Sequence, residues 1–335
     1  MQMRLFLVLF IIIYVLNSSP LGAELLSVDG HQLHFETWGS KEEAQTPTIV
    51  LLSGPIDTWH SDSAWWASLG PKLAKNYRVI ALDRAGVVVG TPDARVGYQH
   101  FASDLELVFN QLNIDQATLV AFASSNISVQ LFLAQNPEQR AIKQVIMIDP
   151  DVLSPFSINR YKNDAAQFKQ NLTSYIDYIQ AGNYITRTEQ KNAAEIAQLK
   201  ALGMVASFID WQYVEKLQQA RLNITNQVNL FREIAIYDQD LDAAAATQWP
   251  ATIPLIVIDT DFEAKLIDEE KDLIEKQDLV TWQQDAGQYY KSLTVLHPTS
   301  RYIASASREH WYQIAELTRL VELVEQQQTS VKGNN

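Results

Sequence analysis

The sequence predicts an α/β protein: a doubly wound, mostly parallel sheet with a helical cap inserted before the last strands. Short runs of unbroken Val, Ile and Leu alternate with amphipathic helical segments from Thr48 to Asp149, the pattern of strands buried on both faces. That alternation stops at about residue 151 and resumes at Ile253. An interruption followed by resumption marks an insertion, so residues 24–150 and 251–325 are expected to form one core domain and residues 151–250 the cap.

The elements follow in order. Leu25 to Trp38 alternates apolar and polar positions around Asp29-Gly30, a two-residue hairpin signal. Thr48 to Leu52 reads as a buried strand running into the turn Ser53-Gly54-Pro55. Trp65, Trp66, Leu69 and Leu73 share one helical face, and Arg78 to Asp83 is the next strand. Phe101, Leu105, Val108, Phe109 and Leu112 mark a second amphipathic helix. Thr118 to Ala123 is strand, Val129 to Ala134 helix, and Val145 to Asp149 strand again. Across the insertion, polar Gln/Ala/Asn-rich segments carry apolar anchors at helical spacing, such as Phe168, Leu172, Tyr175, Ile176 and Ile179. Ile253 to Ile258 and Leu293 to Leu296 are the expected final strands. Trp311 to Val324 forms the closing helix, and residues 326–335 are expected to be a disordered polar tail.

Composition bounds the function. Residues 1–23 read as a secretory signal peptide: Arg4, an apolar run from Leu5 to Leu16, then small residues up to an expected cleavage near Ala23. The run is about half of the roughly 20 residues that a membrane span requires, so a secreted or periplasmic protein without a stable span is expected. The 335-residue chain has no cysteine, which excludes disulfides and thiol chemistry. Its net charge of −13, with no basic block, argues against a nucleic-acid partner. No nucleotide-binding glycine loop or metal-ligand spacing occurs, so neither a cofactor nor a metal is expected. The expected partner is a small molecule. A protein partner is left open.

Several short motifs arrive in a fixed order: Leu51-Leu52-Ser53-Gly54, Ala81-Leu82-Asp83-Arg84-Ala85-Gly86, Asn136-Pro137-Glu138, Ile148-Asp149-Pro150, Pro254 to Ile258 and Ser300-Arg301-Tyr302-Ile303. In that order the chain resembles the α/β-hydrolase superfamily over nearly all of its length after residue 23. The resemblance implies a nucleophile elbow at Ala121 to Ser125, where family members carry a G-x-S-x-G turn. Counting forward from Leu119-Val120 and back from Asn136-Pro137 places the nucleophile position on Ala123, with Ser124 one step late. It also implies an acid at Glu263, with Asp259 and Asp261 nearby, and a histidine at the position held by Arg301. A protonated guanidinium cannot accept a proton from serine, and a Glu263 to Arg301 ion pair is expected instead. In the oxyanion loop, Pro55 has no N–H to donate.

Of the six histidines, His31 and His34 fall in the hairpin and His100 at the start of a helix. His297 stands four residues before Arg301, about 13 Å away along a strand, and His310 is expected in the closing helix. His60, in Trp59-His60-Ser61-Asp62, is placed to face a pocket. Ser124 and Ser125 are expected to serve as helix N-cap and first-turn residues.

The leading reading is therefore an exported protein that lacks serine-triad catalysis and binds a small, partly apolar ligand under its cap. Ser53, Gly54, Pro55, Trp59, Ser124 and Tyr302 are the expected ligand contacts, with Trp65 and Trp66 as further lining residues. The alternative is an active serine hydrolase, esterase or peptidase-like, using Ser124 with a relocated histidine such as His60. A third reading is a serine-independent chemistry at His60 and Asp62.

Overall fold

A computed structural model describes residues 24–39, 47–54, 61–137 and 141–332. The expected signal segment, Pro55, Trp59 and His60 lie outside the described residues.

Eight strands form one sheet: β1 (Glu24–Val28), β2 (His31–Trp38), β3 (Thr48–Leu52), β4 (Arg78–Leu82), β5 (Ala117–Phe122), β6 (Ile142–Ile148), β7 (Leu255–Asp259) and β8 (Arg301–Ala304). Their spatial order is β1-β2-β4-β3-β5-β6-β7-β8. β1 and β2 pair antiparallel through the Asp29-Gly30 turn, whose two residues both take positive φ, as a tight hairpin turn requires. β2 joins β4 antiparallel, and every pairing from β4 to β8 is parallel.

Side chains on a strand point to alternate faces. Val50, Leu52, Leu119, Ala121, Val145 and Met147 therefore enter one core, while Ile49, Leu51, Val120, Phe122, Ile146 and Ile148 enter another on the opposite face. The first core is covered by α2 (Tyr98–Gln111) and α3 (Ser125–Gln135). The second is covered by α1 (Leu69–Leu73), with α11 (Tyr312–Ala315) and α12 (Leu317–Lys332) closing the chain. Two buried faces explain why these strands read as continuous apolar runs.

Between β6 and β7 the regular structure is helical: α4 (Pro155–Gln170), α5 (Leu172–Gln180), α6 (Ile185–Ala201), a short 3₁₀ turn, α7 (Trp211–Arg221) and α8 (Ile224–Ala245). α4 packs along α8 and α5 packs on α8. The α8 helix is tied to the sheet by a buried fork in which Arg84 Nε and Nη2 donate to Glu233 at 2.7 and 2.9 Å. Arg84 also donates to the carbonyl of Ser53. Among the described residues, no helix is long and apolar enough to cross a membrane.

Two expectations fail here. Leu293 to Leu296 is not a strand: Leu293 lies in the last turn of α10 (Leu273–Thr294), and Val295 and Leu296 follow it exposed. A short apolar run fits either period, and here the buried positions Leu279, Ala286, Tyr290 and Leu293 select the helix. The last strand is β8. The expected tail is also shorter, since α12 runs on to Lys332; glutamine is a good helix former and extends the turns begun by the buried face.

Candidate functional site

The elbow joins β5 to α3 through Ala123, which takes φ = +48°. Left-handed backbone is costly for any residue with a Cβ, so its occupation by alanine identifies the strained apex of the turn. The backbone around it is tightly held. Ser125 Oγ donates to the carbonyls of Phe122 and Leu52 at 2.9 and 3.1 Å, fastening the apex to the end of β3. A Cβ at Gly54 would lie 2.1 Å from the Ser125 nitrogen, so only glycine permits this approach.

Ser124 stands at the N-cap position of α3 but makes no side-chain cap. Its φ and ψ of −55° and −11° are helical rather than extended, so Oγ does not reach the free amides of the first turn. Tyr237 Oη donates to Asp151 and lies 3.3 Å from Ser124 Oγ.

The residue that meets the elbow from the other side is His310, and it is not in a helix. It lies in the loop between β8 and α11, with its ring 4.8 Å from that of Phe122 and 4.3 Å from that of Phe262. Its Nδ1 is 2.9 Å from Asp149 Oδ2. Asp149 directly follows β6, at φ = +42°, and is buried. It also accepts hydrogen bonds from Thr260 N at 2.8 Å and Thr260 Oγ1 at 2.6 Å. With Nδ1–H donated to the carboxylate, the neutral imidazole keeps Nε2 as its acceptor nitrogen. The chain thus brings an oriented histidine and its acid to an elbow whose own side chain is a methyl group.

Above Ala123 lies a cavity of about 390 Å³. Its walls are largely aromatic, from Tyr161, Phe168, Tyr237, Phe262, Trp282 and Tyr290. Asp149, Asp151 and Asp164 line it as well, together with Arg160, which pairs with Glu275 and Asp278. α4 and α8, from the helical segment, supply much of the wall. Among the described residues, no cluster of three or more His, Asp or Glu side chains is arranged to hold a metal ion.

Of the expected contacts, Ser124 borders this cavity. Ser53 and Gly54 instead build the turn beneath the elbow. Tyr302 sits on β8 and donates to Asp259 Oδ2 at 2.6 Å, outside the cavity wall. Trp65 and Trp66 are core residues packed on Phe122, with ring centroids 4.9 and 6.4 Å away. Asp62 pairs with buried Arg221, and the hairpin histidines are paired structural groups: His31 with Asp104 and His34 with Asp83.

Arg301 lies away from the cavity over Ala123. It opens β8 beside Ile256, three residues before Ala304 at the site end of the strand, and its side chain is exposed. No ion pair joins it to Glu263, which is buried in the first turn of α9 (Phe262–Glu269). Burial, with neighbouring Asp149 adding to it, pushes the Glu263 carboxyl up to about 9, so it is a neutral acid at pH 7. In the sequence, the observed His310–Asp149 contact is carried by the motif Ile148-Asp149-Pro150 and by the one histidine between β8 and the closing helix.

No protein-family model matches the chain. Solved structures do resemble it. An enol-lactonase from Burkholderia xenovorans superposes with a TM-score of 0.53 at 15% identity, covering 91% of this chain and 100% of that one. An esterase from Thermogutta terrifontis gives 0.54 at 14% identity, covering 92% and 99%. The haloalkane dehalogenase DatA from Agrobacterium tumefaciens gives 0.56 at 14% identity, covering 92% and 96%. Identities this low speak to architecture alone, and with the strand order and elbow above they establish that the chain has the α/β-hydrolase fold.

Proposed function

We propose that this protein binds a small, partly apolar molecule in the cavity over Ala123 and does not carry out serine-triad catalysis. The observation that carries the reading is Ala123 at the strained apex of the elbow, where acyl transfer needs a hydroxyl. The helices between β6 and β7 act as a cap, enclosing the ligand against the sheet ends, the usual place for a site in such folds. Aromatic walls supply most of the contact area, and His310, oriented by Asp149, offers a polar anchor to a ligand hydroxyl or amide. We further propose that residues 1–23 direct export and are removed near Ala23; N-terminal sequencing of the mature protein checks this.

The test is a fluorophosphonate probe read by intact mass, run beside ligand binding. Wild type is expected to give no adduct, yet to bind small esters or alcohols in a manner lost in Ala165→Trp, which fills the cavity from α4. A stoichiometric adduct that disappears in Ser124→Ala would sink the proposal. It would favour the alternative, a working hydrolase using Ser124 with a histidine such as His60.

A further inference from the structure

A second cavity, of about 590 Å³, lies within the helical segment between α4, α5, α6 and α8. Its wall is an aromatic cluster centred on Phe231, with Phe168, Tyr175 and Tyr184 at ring distances of 5.7, 5.3 and 5.2 Å. Phe168 and Ile234 belong to the walls of both cavities. Both helices that carry them run from one chamber to the other: α8 lines the second with Leu230 and Phe231 and the first with Tyr237, while α4 reaches the first with Tyr161 and ends its contribution at Phe168. Seven residues of α8 separate Leu230 from Tyr237, which is about 10 Å of helix axis. The two cavities are consecutive chambers laid along the same pair of helices.

Their charges differ in sign. The chamber over Ala123 is lined by Asp149, Asp151 and Asp164, and its Arg160 is already engaged by Glu275 and Asp278. Among the described residues, the wall of the far chamber holds no carboxylate and carries Arg187 and Lys191. Arg187 lies 5.9 Å from the ring of Tyr184 and forms no ion pair with a described carboxylate. In a chain of net charge −13, an arginine without a described carboxylate partner beside an aromatic chamber makes a local site for an anion.

We infer that the ligand is an elongated, single-chain amphipath, whose anionic head sits at Arg187. Its apolar chain passes between Phe168 and Ile234 into the chamber over Ala123. Charge sets the direction: the head is repelled from the three aspartates, and the uncharged end reaches His310. The inference rests on the reading that the Ala123 cavity receives the ligand.

Dodecanoate, dodecanol and ethyl butyrate separate the two readings, by calorimetry for the long chains and ligand-observed NMR for the ester. Wild type is expected to bind dodecanoate more tightly than dodecanol. Arg187→Gln should weaken dodecanoate about tenfold, one charge-assisted contact, and leave dodecanol unchanged. Leu230→Trp, which narrows the far chamber from α8 and lies outside the wall of the Ala123 cavity, should lose dodecanoate and keep ethyl butyrate, the latter also reporting that the variant is folded. Equal binding of dodecanoate by wild type and Arg187→Gln overturns the inference, as does undiminished dodecanoate binding by Leu230→Trp, while in both cases retained ethyl butyrate leaves the Ala123 reading standing. Failure of wild type to bind ethyl butyrate overturns that reading and this inference with it.

Discussion

Ala123→Ser adds one oxygen at the apex of an elbow that already holds a non-glycine residue at φ = +48°. The backbone strain of roughly 1–2 kcal/mol is present with either side chain, and the new atom enters a cavity of about 390 Å³, so the variant should fold. It would complete a serine, histidine and aspartate set with His310 and Asp149. Removing the serine from such a set costs about 10⁶ in kcat. On the proposed reading, in which Pro55 replaces an oxyanion donor, one lost N–H costs about 10²–10³. The expected gain is therefore roughly 10³–10⁴ in ester hydrolysis, on the order of 4–5 kcal/mol of barrier. The assay is p-nitrophenyl butyrate turnover with fluorophosphonate labelling read by intact mass. Adding Asp149→Asn or His310→Ala to Ala123→Ser should erase the gain, because the imidazole loses its orientation or is absent. A folded Ala123→Ser that gains neither turnover nor label, or gains both independently of His310, would refute the assignment of this histidine and acid.

Arg84→Ala leaves Glu233 buried without its partner and should cost about 3–5 kcal/mol in urea unfolding, whereas Arg84→Met with Glu233→Leu should recover most of it; a single-variant loss below about 1 kcal/mol would count against the fork as the tie between sheet and α8. Folded Glu263 keeps its proton to about pH 9, while the unfolded chain loses it near the ordinary value of 4.5. The native state then binds more protons across that window, and its stability falls as pH rises through it. Glu263→Gln should accordingly stabilise the protein by on the order of 2–4 kcal/mol at pH 8 and by nothing at pH 4; a gap in Tm that does not change with pH would contradict this. Gly54→Ala drives a Cβ into the Ser125 nitrogen and should cost about 3 kcal/mol together with ligand binding; wild-type stability in the variant would show that the elbow does not need this contact.

What was readable along the chain came from local regularities. Apolar runs buried on two faces marked β3 to β7, Asp29-Gly30 marked the hairpin, and two counts converging on Ala123 located the elbow apex that positive φ now identifies. Each of these depends on residues a few positions apart, where period and turn chemistry act directly. Leu293 to Leu296 misled for the same reason, since a run so short carries no period, and packing against the sheet decided it. The site itself was decided by the tertiary structure. His310 and Asp149 are 161 residues apart in sequence, as are Arg84 and Glu233 at 149, and no local pattern couples such pairs. The sequence by itself determined the sheet, its order of elements and the alanine at the elbow. Only folding determined which carboxylate reaches the histidine, because parallel strands set the ends of β6 and β8 on one edge of the sheet and leave Arg301 at the other.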